Sequence, residues 1–416
     1  MRILIYWFRN DLRLADNPAF TQACLSADHL LPVYVHDPKE QEIVYGFERQ
    51  GPHRQAFLRA SLDDLGVQLR AQGSDLLEFS GKSVEVLLRL FKDHAADAIY
   101  CEQIEAPEEI EQVRMLQEQG ADVKEFWQSS MLDPQTLPFE LEKMPDVFTA
   151  FRREVEKARL KFAQPIDAPK KIPPLPATLP QGSVLPSTAQ SVSHSYLLGG
   201  ASHARAHLKQ YLERRLPDSY KETRNQLIGM DYSSKFSAWL ALGCISAREI
   251  AAQLNDYESY HGANDGTYWL WFELLWRDNF RFLHLQHGKQ LYAARGLSAL
   301  PRPSHFPKDF QRWCDGQTGE PIVDAGMREL AATGFTSNRM RQIVASFLVH
   351  DLSCDWRAGA AWFESQLVDF DVQSNQGNWL YVSGRGTDPR VGRRFNPAKQ
   401  TQDHDPQGRY RQVWLA

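Results

Sequence analysis

Short apolar runs alternate with amphipathic segments along residues 1–130. The runs ILIYWF, LLPVYVHD, DLLEFS, AIYCEQ and VKEFW are rich in β-branched or aromatic residues and bounded by turn formers, a pattern that predicts five strands. Between them HRQAFLRASLDDLG, SVEVLLRLFKDH and APEEIEQVRMLQEQG repeat apolar positions at helical spacing. The last has acids in its opening turn and Gly120 where a helix would close. Strand and helix in alternation predict a parallel sheet covered on both faces, an α/β domain of Rossmann-like architecture.

No GxGxxG follows the first strand; RNDLRLADNP stands there, which argues against ordinary dinucleotide binding at that loop. Residues 164–187 are proline-rich with little hydrophobic bulk and read as an extended connector. After residue 200 the texture changes to long helical runs. YWLWFELLWRDNFRFLHLQHG is apolar almost all round, which marks a helix buried within a helical domain. Glu273, Trp276, Arg277 and Phe280 share one face of it by i, i+3, i+4 spacing. A charged pair on a buried helix needs partners, so Glu273 and Arg277 either pair with each other or face a cavity. The organisation expected is α/β over residues 1–130, a linker over 131–200 and an all-α domain over 201–416, in keeping with a 416-residue chain.

Composition adds less than distribution. Hydrophobic residues make up 43% and charged residues 24%, as in ordinary globular proteins. The net charge of -5 hides an asymmetry: residues 1–200 hold 21 Lys and Arg against 29 Asp and Glu, residues 201–416 hold 26 against 23. Beyond Tyr381 the basic residues are Arg385, Arg390, Arg393, Arg394, Lys399, Arg409 and Arg411. They form either a solvated surface or a local phosphate-binding face. Five cysteines without a CxxC pair argue against a disulfide framework, a zinc site or an iron–sulfur cluster, and fit a reducing cytoplasm. No apolar run approaches the roughly 20 residues of a membrane span. With the strand-like RILIYWF at residue 2, no cleavable leader is expected.

Two stretches carry candidate chemistry. Ser233, Ser234, Lys235 and Ser237 precede an apolar helix, where they either hold a phosphate or merely cap. DFDVQSNQGNW, from Asp369 to Trp379, crowds two carboxylates, amides and an indole together. Standing alone, DFDV reads as a pair of exposed turn acids and the tryptophan as core packing.

Taken in order, WFRNDLRLADNPA, DYSSKFSAWLALGCIS, ELLWRDNFRF, GQTGEPIVDAGMRELAATGFTSNRMRQ, DWRAGAAWFESQLVDFDVQSNQGNW and RRFNPAKQ resemble the photolyase and cryptochrome family over nearly the whole chain. YKETRN, SNRMRQ and the Tyr381 after NWL are most similar to the DASH cryptochromes. The resemblance implies one folded-back FAD. Tyr220, Ser233, Ser234, Lys235, Phe236 and Ser237 would hold its pyrophosphate; Asp369 and Asp371 would flank the flavin and ribose. Asn338 and Arg341 would lie at the ring, with Arg341 paired to Asp369, and Arg277 would face the cofactor. Asn375 falls where the family places an amide beside flavin N5. Trp379 would stand nearest the flavin and Trp356 next, as a relay of oxidisable indoles. The family's third indole aligns near Pro303, so Phe306, Tyr292 or Trp313 takes its place or the relay is shorter.

On the substrate side the resemblance implies Arg224, Glu273, Trp276, Asn338, Arg339, Tyr381, Arg393 and Gln400 around a cavity for a flipped dinucleotide lesion. Trp276 and Tyr381 would stack on bases, the arginines would contact phosphates, and Glu273 would hydrogen-bond thymine. Tyr381 stands where duplex-acting enzymes carry Trp, which favours single-stranded DNA. Ser337 and Asn338 replace the His pair of the enzymes that repair six-four photoproducts. A methenyltetrahydrofolate antenna is a further implication, although Ile104 aligns with the family's glutamate, Glu105 beside it, and Leu291 and Tyr292 replace folate-contacting residues of some bacterial photolyases. The activity implied is metal-free, blue-light-driven repair of cyclobutane pyrimidine dimers by a monomer. The alternative is a blue-light photoreceptor with little repair activity.

Overall fold

A computed structural model describes residues 1–178, 197–388 and 392–416. Its strands are β1 (Ile3–Trp7), β2 (His29–His36), β3 (Ile43–Val44), β4 (Phe47–Glu48), β5 (Leu77–Ser80), β6 (Ala98–Glu102) and β7 (Val123–Phe126). Five of them form a parallel sheet in the order β5-β2-β1-β6-β7, and β3 and β4 make a separate antiparallel hairpin. All five strands expected from the apolar runs are present. Starting at the centre and winding outward both ways is the doubly wound pattern. In β1, Ile5 sits between Leu31 and Ile99 in register, and the strand is buried from Leu4 to Trp7. Burial on both faces is why its sequence shows no polar alternation.

The helices Pro52–Ala71, Ser83–Asp93 and Pro107–Glu118 form where helical spacing placed them. Gly120, at φ +88°, follows the last of these. Ile5, Trp7, Val33 and Ile99 pack with Leu87 and Leu116 on one face of the sheet. Leu4 and Tyr6 point the other way, into a core that continues through Phe151, Trp239 and Leu275 of the following half. The α/β and helical halves therefore share one apolar core.

The loop RNDLRLADNP, which takes the place of a phosphate loop, docks the two halves together. Leu12 N donates to the Leu242 carbonyl at 3.0 Å and Arg13 Nη1 to the Gly243 carbonyl at 2.9 Å. Asp16 pairs with Arg248 at 3.1 Å. Gly243 has φ +63°, and a Cβ there would lie 2.0 Å from the Asn10 carbonyl, so the approach requires glycine. On the other side Asp278 accepts from Met131 N at 2.9 Å and Leu132 N at 2.8 Å. Burial drives that carboxyl up to about 6 despite the two bonds.

The helical half is built round Asp265–His287, 23 residues long, opened by Asn264 in a reciprocal capping box with Thr267. Within 131–200 a helix, Phe148–Ala158, buries Phe148, Phe151 and Val155. Residues 179–187 of the proline-rich stretch, and Arg390, lie outside the described residues. Among the described residues no helix is long and apolar enough to cross a membrane.

Candidate cofactor and substrate cavity

A cavity of about 360 Å³ opens in the helical half, a size suited to a large organic ligand. Several pieces of chain, distant in sequence, wall it, with Tyr220, Arg224, Ile250 and Phe363 among their side chains. The Ser233–Ser237 segment, the inner face of Asp265–His287, the start of Asn338–Ser346 and the stretch Asp369–Val382 each contribute side chains. Of the residues singled out from sequence, Tyr220, Arg224, Ser233, Ser234, Lys235, Phe236, Ser237, Glu273, Trp276, Arg277, Asn338, Arg341, Asp369, Asp371, Asn375, Trp379 and Tyr381 line this one space.

The deep wall is made of paired charges. Arg341 meets Asp369 at 2.9 Å, the ion pair expected, and Asp369 Oδ1 is buried with no hydrogen-bond partner. Asp371 caps Val372–Ser383 by accepting from Ser374 N at 2.7 Å and pairs with Arg281 at 2.5 Å. Burial opposes its ionisation, but Arg281 and Arg277 hold the carboxyl well below the ordinary range. DFDV is thus not a pair of exposed turn acids. Arg281 was missed from sequence, although it stands one turn after Arg277 and the same reasoning about buried charge applies to it.

Between pairing and facing a cavity, Glu273 and Arg277 take the second course. Arg277 donates to the carbonyls of Ser129 and Leu240, while Glu273 pairs with Arg224 at 2.7 Å. Burial, with Arg281 nearby, lowers Arg277 to about 9. Removal from water raises the Glu273 carboxyl, and Arg224 opposes that shift.

Lys235, at φ +57°, is 4% exposed and rests against the rings of Tyr232 and Phe335 at 3.4 and 4.7 Å. Burial lowers its ammonium to about 7, with Glu329 opposing. The short helix Ser237–Ala241 has no side-chain cap, and the hydroxyls of Ser233, Ser234 and Ser237 make no hydrogen bond among the described residues. Unused hydroxyls, an unpartnered carboxylate oxygen and a buried cation in one concave space fit a ligand with phosphates and a polar ring system. Asn375 uses one N–H on the Ala360 carbonyl at 3.0 Å and keeps its remaining amide groups. The residues present fit FAD.

The mouth is aromatic. Trp276 stacks on Phe148 with ring centroids 3.7 Å apart and meets Tyr381 edge-on at 5.9 Å. Arg393 lies over the Tyr381 ring at 5.1 Å, beside a second cavity of about 200 Å³ that shares Trp276, Phe280 and Tyr381. Arg339 and Gln400 are not in the main cavity's lining. Arg339 donates to Asn225 at 3.1 Å, and Gln400 is buried with its Oε1 unpartnered.

Trp379 is buried at the cavity wall, and a Cβ on Gly359 would lie 2.2 Å from its ring. Trp356 lies outside the lining, its Nε1 donating to the Ala294 carbonyl at 3.1 Å. Among the described residues, the rings touching Trp379 are Trp313 at 6.3 Å and Phe363 at 5.1 Å. At the antenna positions, Ile104 faces a small cleft between the halves, and Glu105 accepts from Gln103 at 2.6 Å. Leu291 and Tyr292 are packed among helices.

The chain thus fuses a doubly wound sheet to a helical half that holds this cavity. Two family descriptions match the chain, DNA photolyase over residues 4–174 and FAD binding domain of DNA photolyase over residues 269–416. Cryptochrome DASH of Gloeobacter violaceus is 44% identical over 430 residues, covering 100% of this chain and 85% of that protein. Cryptochrome DASH of Xenopus laevis is 44% identical over 437 residues, covering 100% and 82%. The crystal structure of a Synechocystis cryptochrome superposes with a TM-score of 0.95 at 40% identity, covering 100% of this chain and 89% of that one. The chain belongs to the photolyase and cryptochrome family.

Proposed function

We propose that the protein repairs cyclobutane pyrimidine dimers in single-stranded DNA, using blue light and FAD. The observation that carries this reading is a single cavity whose deep wall suits the cofactor and whose mouth suits two extruded bases. When bound and reduced, FAD supplies a light-excited one-electron donor. The remaining work is positioning. Asp369 and Arg341 would fix the ring system, Lys235 and the three serines the pyrophosphate, and Asn375 would offer an amide at the flavin edge.

Trp276 and Tyr381 would hold the lesion by stacking, and Glu273 would bond the pyrimidine imide groups, its geometry fixed by Arg224. Phe148 covers a face of Trp276, so that indole offers its other surface and edge. A strand already unpaired avoids the few kcal/mol needed to take bases out of a duplex.

A second reading, a blue-light photoreceptor with little repair, is favoured by the curated relatives, which are named cryptochromes. One assay separates the two: a thymine dimer in a single-stranded oligonucleotide, reduced flavin-loaded protein and blue light. Restoration of intact thymines supports repair. Bound, reducible flavin without restoration discards the repair reading in favour of the photoreceptor.

A further inference from the structure

The aromatic contacts of Trp379 lead away from Trp356. Trp379 meets Trp313 at 6.3 Å, and Phe363 touches both, at 5.1 and 6.2 Å. Trp313 stacks on Phe310 at 6.1 Å with an interplanar angle of 24°, and Phe310 reaches Tyr45 at 6.1 Å. Trp313 is 0% exposed, Phe310 3% and Tyr45 43%, so the file runs from the cavity through the core to solvent. Its outer end belongs to the other half of the molecule. Tyr45 and Gly46, at φ +53° and +95°, form the two-residue turn of the β3–β4 hairpin. Trp356 makes no ring contact with Trp379 among the described residues, and its Nε1 is spent on the Ala294 carbonyl.

Electron tunnelling falls steeply with distance, and indole and phenol are the most easily oxidised of these rings. Phe310 is too hard to oxidise to hold a charge, but its stacked ring couples Trp313 to Tyr45. Trp313 cannot settle its oxidation by losing a proton, because its Nε1 donates to the Val344 carbonyl, a poor base, inside the core. Tyr45, in contact with water, can.

We propose that Tyr45 is the terminal electron donor of the cavity, reached from Trp379 through Trp313. This rests on the flavin reading above. Trp379 loses one electron to photoexcited oxidised flavin, Trp313 refills Trp379, and Tyr45 refills Trp313. The phenolic proton passes to water, leaving a neutral tyrosyl radical that an external thiol restores by giving a hydrogen atom.

The test uses the flavin-loaded full-length chain under blue light, with electron paramagnetic resonance and mass-spectrometric mapping of a spin-trap adduct. We expect a tyrosyl signal with the adduct at residue 45. It should be lost in Tyr45→Phe, an exposed change that spares the core, and in Trp313→Phe, yet persist in Trp356→Phe. Flavin photoreduction with an undiminished tyrosyl signal in Tyr45→Phe, or its loss in Trp356→Phe, overturns the inference while leaving the flavin reading intact. Failure of the wild-type chain to take up flavin overturns both.

Discussion

The two walls of the cavity are built on different physics. The deep wall holds its shape through buried ion pairs, Asp371 with Arg281 and Asp369 with Arg341, whose acids have side chains 12% and 2% exposed. The mouth is made of partly exposed rings and the looser pairs around Trp276, Tyr381 and Arg393. A buried charge that loses its partner is strongly destabilising, whereas a ring at the surface can be exchanged at modest cost. The difference teaches that the deep wall is inseparable from the fold, while the mouth can vary with the substrate. Removing a deep residue should therefore unfold, and removing a mouth residue should only weaken binding.

The sharpest way to break that contrast is Asp371→Ala. It strands Arg281 and uncaps Val372–Ser383, and the expected loss is about 3–5 kcal/mol of stability, read by urea unfolding. Asp371→Leu combined with Arg281→Met should recover most of it. Because the folded carboxyl titrates below its unfolded value of about 3.9, its contribution is complete above that pH. It is lost as acid protonates the folded form, and the double variant should show a flatter acid limb. A single variant as stable as wild type would mean the deep wall is no more tied to the fold than the mouth.

Trp276→Ala tests the opposite wall. Single-stranded DNA affinity should fall by about 1–3 kcal/mol, with FAD affinity unchanged. Trp276→Phe should retain part of the stacking. Equal losses for both ligands, measured by titration, would show that the walls are not separable.

The sheet was legible because its strands are buried on both faces and so appear as uninterrupted apolar runs. The β3–β4 hairpin was not, since two-residue strands leave no period to read. The helix Pro18–Ser26 was missed although Asn17 and Pro18 are a cap and first-turn pair, with Asn17 accepting from Phe20 N. Phe148–Ala158 falls within the 131–200 segment, whose proline-rich part outweighs it in composition, even though Phe148, Phe151 and Val155 repeat at helical spacing. Most of the cavity came from the family resemblance; spacing alone left Glu273 and Arg277 open. What decided them were Arg224, from a distant segment, and the backbone carbonyls of Ser129 and Leu240, which no side-chain pattern encodes.

Lys235 sharpens the contrast from the deep side. Burial holds its ammonium at about 7, so much of it is neutral above that pH without ligand. A pyrophosphate beside it favours the charged form and raises its pKa. Binding at pH values above about 7 must then take up a proton, and FAD affinity should fall as pH rises, by up to about tenfold per unit. Calorimetry in two buffers of different ionisation enthalpy reads that proton directly. Lys235→Met should remove it, and an affinity flat with pH in the wild type would place the phosphates elsewhere.

The smallest effect belongs to two arginines at the mouth that sequence treats alike. Arg224 is fixed between Glu273 at 2.7 Å and the Trp269 ring at 4.5 Å, so its charge already has a partner. Arg393, 32% exposed in its side chain, has Asp388 no nearer than 3.8 Å and rests on the Tyr381 ring, where a passing phosphate can reach it. Each phosphate neutralised on a single strand adds about 0.7 to the slope of log affinity against log salt. Arg393→Ala should lower that slope by roughly this amount, uniformly across sequences. Arg224→Ala should leave the slope nearly unchanged and instead weaken lesion binding through a misplaced Glu273. Should Arg224→Ala flatten the salt dependence and Arg393→Ala not, the strand would enter across the Glu273 side of the mouth, and the assignment of phosphate and base contacts there would have to be exchanged.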